Sequence, residues 1–199
     1  MKRNQYTLGK PISFKGNGLH SGIPVTITMR PAPAGSGIIF RRIDLTGAPE
    51  VPAKSEFVTN TLRATTLERG GAKVFTVEHI LSALFALRID NCILEMDAPE
   101  PPVADGGALT FSQMILEAGI MELEEQTDIL TLETSVAVYE DNKFITALPY
   151  DGLRITFTSI NPHPLLGTQM KDFTIDKETY IREIAPSRTI GFTWELEAM

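Results

Sequence analysis

The chain has 199 residues, 43% hydrophobic and 22% charged, which supplies enough apolar side chain for a core and excludes a disordered chain. Twenty-five acids against 18 Lys and Arg give a net charge of -7, which argues against a sequence-independent nucleic-acid binder, because that class displaces counterions with a basic surface. The one cysteine, Cys92, excludes an internal disulfide; no apolar run follows the opening charges and no stretch of about 18 apolar residues could cross a membrane, so the expected location is the cytoplasm.

The first third reads as strands and turns. Val25, Ile27 and Met29 alternate with Thr26 and Thr28, the period of a strand buried on one face. A short strand is expected at 37–40, a turn-rich stretch at 44–52, and strands near 62–67 and 72–75 around Gly70-Gly71. Thr76 has the chemistry of an N-cap, with Glu78 in the first helical turn. Val77, Ile80, Leu81, Leu84 and Leu87 then share one helical face; Glu78, His79, Ser82, Ala83 and Ala86 fall on the other. Asp90-Asn91 ends this helix, and Cys92 to Met96 reads as a strand with the thiol in the core. A Pro-rich loop at 99–102 and Asp105-Gly106-Gly107 precede a second helix from Leu109 to Ala118, with Gly119 as its C-cap.

Acidic composition near 122–128 suggests a boundary, dividing the chain into units 1–125 and 126–199. Strands are expected at 129–139, 144–148 and 154–160, a short helix near 176–182, a strand-like segment at 187–190 and the start of a helix at 192–199. Strands followed by helices argue for an α+β fold of two-layer sandwich units, sheets packed on helices, with the second unit incomplete.

Three groups could carry chemistry. Glu78-His79 sits at the start of a helix, where the imidazole could hold a metal and the carboxylate could serve a water on it; a solvated polar helix face is the alternative. The pair is not the two-histidine HExxH motif, because positions 82 and 83 are Ser and Ala. His20 lies in the glycine-rich turn Gly16 to Gly22, and His163 lies between two prolines; both fit loops as well as sites. Thr189, in Arg188-Thr189-Ile190-Gly191, could donate a hydrogen bond to an oxyanion, or simply end a strand. Neither a serine-hydrolase elbow nor a P-loop is present.

Six ordered blocks together resemble the LpxC family of zinc-dependent UDP-3-O-acyl-N-acetylglucosamine deacetylases. They are Gly16 to Gly22, Thr61-x-x-x-Thr65-Thr66-Leu67, Thr76 to Leu84, Asp90-Asn91, Pro102-Val103-x-Asp105-Gly106 and Ile184 to Phe192. The resemblance implies removal of the N-acetyl group from UDP-3-O-acyl-N-acetylglucosamine in lipid A biosynthesis, with the site between two α+β units. It implies Glu78 as general base, His79 as a ligand of Zn2+ and Thr189 as the group that polarises the carbonyl. It further implies His20 and Lys143 near the nucleotide phosphates and Ile190 against the substrate. Asn161-Pro162 departs from the aromatic or acidic groups that often meet the uridine in the family.

The family's remaining zinc ligands belong to an H-x-x-x-D segment that this sequence lacks. The expectation is therefore a chain that is inactive by itself and completed by a further chain or segment. The alternative is a non-catalytic nucleotide-sugar-binding or regulatory relative. Ferrous iron would suit the visible residues equally.

Overall fold

Alternation builds the central sheet in the computed structural model, in which residues 2–191 are described; the helix expected over 192–199 lies outside them. The first part of the chain forms β1 (Lys2–Leu8), β2 (Ile12–Asn17), β3 (Pro24–Pro31), β4 (Ile38–Arg42), β5 (Glu50–Pro52), β6 (Val58–Asn60), β7 (Thr66–Arg69) and β8 (Ala72–Phe75). These lead to α1 (Glu78–Ala86), β9 (Cys92–Met96), α2 (Leu109–Ala118) and β10 (Ile120–Asp128). Five strands form one mixed sheet in the order β2-β3-β9-β4-β5, and β6-β7-β8 form a second.

Register explains the core. Met29 on β3 and Phe40 on β4 both lie opposite Leu94 on β9, and Ile27 lies opposite Met96, so one sheet face carries a continuous apolar row. Ile80, Ala83 and Leu84 of α1 and Phe111, Met114 and Ile115 of α2 join these residues in a single buried cluster. Full burial of each large aliphatic or aromatic side chain contributes roughly 1.5–3 kcal/mol, so this face holds the layers together. The opposite face is mostly polar, with Ile39 and Ile93 as an apolar pair on it. Arg30 donates to Glu95 at 2.5 Å, and Arg41 bridges Glu95 at 3.1 Å and Glu50 at 2.6 Å. Partial burial pushes the Glu95 carboxyl up, but the hydrogen bonds and charge of Arg30 and Arg41 prevail and hold it below its ordinary value. An apolar face under helices and a charged face toward water make the expected two-layer α+β arrangement.

β1 pairs antiparallel with β10, Leu8 opposite Ile120 and Lys2 opposite Asp128. Neither strand alternates clearly in sequence, and both are fixed by partners distant along the chain. Asp90 accepts two bonds from Arg3, at 2.7 and 2.6 Å, and one from the Tyr6 amide at 2.8 Å. Thr7 and Asn91, both buried, continue the seam: Thr7 Oγ1 donates to the Asn91 carbonyl, and Asn91 Oδ1 accepts from the Gly37 amide. Asp90-Asn91 thus ends the helix and also clamps β1 to the sheet. The suggested boundary at 125/126 falls within β10.

Beyond β10, β11 (Val136–Glu140) pairs with β12 (Lys143–Ala147), and β13 (Arg154–Ile160) pairs with β14 (Thr168–Thr174). Both hairpins present large apolar side chains to solvent, including Val138, Phe144, Ile145 and Phe157. A helical turn at Lys177–Thr179, capped by the Asp176 side chain on the Thr179 amide, runs into a π-turn at Tyr180–Ile184.

Several local expectations change. Thr76 is not the N-cap of α1; Val77 takes that position, without a side-chain cap, and the Thr76 hydroxyl donates to Glu100 instead. A buried carboxylate needs donors, and this demand wins over capping one helix amide. Ala83 belongs to the core rather than the outer helix face. The strand expected from Leu62 begins at Thr66, and the one expected from Ile129 begins at Val136. Residues 187–190 form no strand; their backbone is engaged by a loop described below. In the turn-rich stretch, Glu50–Pro52 pairs as an edge strand.

Candidate functional site

The site is organised by the loop from Pro99 to Ala108, which bonds to three separate segments. On its first side lies the glycine-rich turn. Val103 N donates to the Asn17 carbonyl at 2.8 Å, and Gly18 bridges to Pro102. Glu100, fully buried, accepts from the backbone amides of His20 at 3.0 Å and Ser21 at 2.8 Å. A Cβ at Gly18 would collide with the Glu100 carboxylate and the Ser21 hydroxyl, so only glycine lets the turn close over the acid. The His20 side chain is exposed at the outer end of this turn.

On its second side lies the start of α1. Phe75 N donates to the Pro99 carbonyl at 3.0 Å, and Thr76 Oγ1 donates to Glu100 at 2.7 Å. Glu78 and His79 follow as the first two helical residues, both half-buried. The Thr65 amide donates to Glu78 Oε2 at 3.1 Å, which fixes one carboxylate oxygen and leaves the other available. His79 borders a niche of about 10 Å³ shared with Leu19, Thr76, Pro102, Val103 and Phe111, no larger than one water molecule requires.

On its third side lies the 185–189 segment. Ala108 N donates to the Ala185 carbonyl and Thr189 N to the Gly106 carbonyl, each at 3.0 Å. A Cβ on Gly107 would stand 2.7 Å from the Ser187 carbonyl oxygen and 2.9 Å from that of Ala185, so glycine here permits backbone-to-backbone contact. Tyr180 is buried and its hydroxyl lies 2.8 Å from Ser82 Oγ on α1, which ties the segment to the same helix. Burial raises the Tyr180 phenol above its ordinary value, against the lowering by hydrogen bonds to Ser82 and Ser112. Thr189 and Ile190 are exposed.

One loop therefore links the segments that carry His20, Glu78, His79 and Thr189. Lys143 stands apart: it is exposed on β12, and none of these bonds reaches it. His163 occupies the β13–β14 turn, where its Nδ1 accepts from the Leu165 amide. Cys92 is buried in β9, and burial pushes its thiol up to about 12. Glu100 escapes a motif reading because an acid in a proline run has no recognisable spacing. So do Arg63 and Lys73, which with His20, Asn60 and Phe75 line an open cleft of about 230 Å³. Among the described residues, no three His, Cys, Asp or Glu side chains are grouped to hold a metal ion, so His79 by itself does not make a metal site. No described helix is long and apolar enough to cross a membrane.

Fold and site together define an α+β protein whose acid, imidazole and hydroxyl groups are borne on segments joined through a single loop. Comparison with known proteins supplies the family: the chain belongs to the LpxC family, described as UDP-3-O-acyl N-acetylglycosamine deacetylase, whose model matches residues 5–199. It is 44% identical, over 98% of its length, to the bifunctional enzyme LpxC/FabZ of Chlorobaculum tepidum, of which it covers 42%. It is 41% identical to the UDP-3-O-acyl-N-acetylglucosamine deacetylases of Myxococcus xanthus and Legionella pneumophila (strain Corby), covering 62% and 65% of them and in each case 98% of itself. The chain thus spans about two fifths to two thirds of the length of these curated relatives.

Proposed function

We propose that this chain serves the hydrolysis of the N-acetyl group of UDP-3-O-acyl-N-acetylglucosamine, releasing acetate, as a cytoplasmic step of lipid A biosynthesis. The observation that carries this reading is a Glu78-His79 pair at the start of α1 in a member of the deacetylase family. Glu78 is assigned the proton transfer, taking a proton from the attacking water and returning it to the leaving nitrogen. Its support is the Thr65 amide, which orients the carboxylate. Thr189 is assigned to the carbonyl oxygen, which its hydroxyl would polarise. His79 is assigned as one ligand of Zn2+, the ion that would supply Lewis acidity. The described residues do not complete the donor set for that ion.

His20 and Lys143 are assigned to the phosphates of the nucleotide and Ile190 to the sugar or acyl portion. What supports the His20 assignment is the neighbouring cleft, where Arg63 and Lys73 add positive charge suited to a diphosphate. We also propose two α+β units, 1–125 and 126–199. Among the described residues His79 is the one imidazole assigned to the ion, so the chain by itself is expected to release little acetate until a further chain or segment supplies the other ligands.

The test is acetate release from the UDP-sugar, with Zn2+ present, by the chain completed with the segment that supplies the other ligands and by the Glu78→Gln variant of that assembly. The release that can be measured is expected to fall by about 10²-fold or more in the variant. Release that survives the substitution overturns the assignment. A second reading, nucleotide-sugar binding without catalysis, is favoured by the incomplete metal-binding donor set among the described residues; UDP bound tightly without Zn2+, and no acetate above background, would select it.

A further inference from the structure

We infer that Glu100 is a positioning residue that couples the His20 turn to the start of the helix bearing Glu78 and His79. Its side chain is fully buried, yet among the described residues its partners are neutral donors and no cation pairs with it. Its oxygens instead accept from the His20 amide at 3.0 and 3.2 Å, from the Ser21 amide at 2.8 Å and from the Thr76 hydroxyl at 2.7 Å. A carboxylate so deeply placed is costly unless its donors are all in position, so the donors are held as firmly as the acid. Two of them belong to a turn ending in a site imidazole, and the third stands two residues before Glu78.

Backbone geometry points the same way. Thr76 has φ of 58°, a left-handed conformation that a β-branched residue avoids. A hydroxyl bond to a fixed carboxylate holds it there, and with it the angle at which the chain enters α1. Gly18 gives the turn the room to approach the acid. Glu100 therefore sets the position of His20 relative to His79 without needing to touch substrate.

The inference rests on the proposed roles of His20 and His79, but its test requires neither substrate nor metal, so the two can fail separately. Amide hydrogen exchange at His20 and Ser21 and imidazole NMR are measured for the full chain and for Thr76→Val, Glu100→Ala and the double variant. The chain has three histidines, which makes His163 an internal control. Thr76→Val is expected to speed exchange at His20 and Ser21 about tenfold and to shift the His20 and His79 resonances but not that of His163. Adding Thr76→Val to Glu100→Ala is expected to have no further effect, since the path between the segments is already cut. If the alanine variant does not fold, exchange at His20 and Ser21 in Thr76→Val decides by itself. Unchanged exchange at His20 and Ser21 in Thr76→Val, or additive effects in the double variant, would overturn the coupling.

Discussion

Removing the phenolic oxygen of Tyr180 tests how the segment bearing Thr189 is held on α1. The Tyr180 ring is buried and its hydroxyl lies 2.8 Å from Ser82 Oγ. Tyr180→Phe keeps the ring and deletes that bond. Ser112 stays satisfied, because its hydroxyl donates to the Ala108 carbonyl at 2.8 Å. Ser82 is half-buried, so water can replace its lost partner. The expected cost is that of one neutral hydrogen bond, about 1 kcal/mol. With a denaturant slope of about 2 kcal/mol per molar urea, the midpoint falls by about 0.5 M. Tyr180→Ala, which also deletes a packed aromatic ring, is expected to cost about 3–5 kcal/mol. The loss should concentrate where Tyr180 acts, so the amides of Ala108 and Thr189, which bond across the segment, should exchange faster in Tyr180→Phe. Urea titration and site-resolved hydrogen exchange measure both quantities. A midpoint unchanged within error, together with unchanged exchange at Ala108 and Thr189, would refute the idea that this hydroxyl docks the segment.

Gly107→Ala would drive a methyl into the carbonyl oxygens of Ser187 and Ala185, 2.7 and 2.9 Å from the added Cβ, and neither is a flexible side-chain end. A loss of about 1–3 kcal/mol is expected, measured by denaturant unfolding, with the Thr189 amide losing its protection. Cys92 should resist thiol reagents until the protein unfolds, because burial pushes its thiol up to about 12. The folded thiol ionises above the ordinary range near 8.5, so its contribution to stability is complete below that pH and is lost as pH rises toward about 12. Rapid labelling at neutral pH under native conditions would contradict the burial.

Local pattern carried much of this protein into view. The alternation of Val25, Ile27 and Met29, the apolar face of α1, and Leu109 to Ala118 closed by Gly119 all follow from periods and terminal chemistry within a few residues. The Glu78-His79 pair was legible for the same reason: adjacent reactive side chains at a helix start need no distant partner to be noticed. Where a residue answers to something far along the chain, the sequence misleads. Thr76 has the chemistry of a cap, but Glu100 claims its hydroxyl. Ser187 to Ile190 reads as a strand, but the loop at Gly106 and Gly107 engages its backbone.

Composition and pattern by themselves thus determined the α+β class, the apolar faces and the candidate acid and imidazole, because each depends on side chains within one or two turns. Tertiary structure alone decided that β1 pairs with β10 and that one proline-rich loop joins the His20 turn, the start of α1 and the Thr189 segment. The reason is physical. A buried carboxylate such as Glu100 is tolerated only where donors from several segments converge on it, and that convergence exists only after the chain has folded.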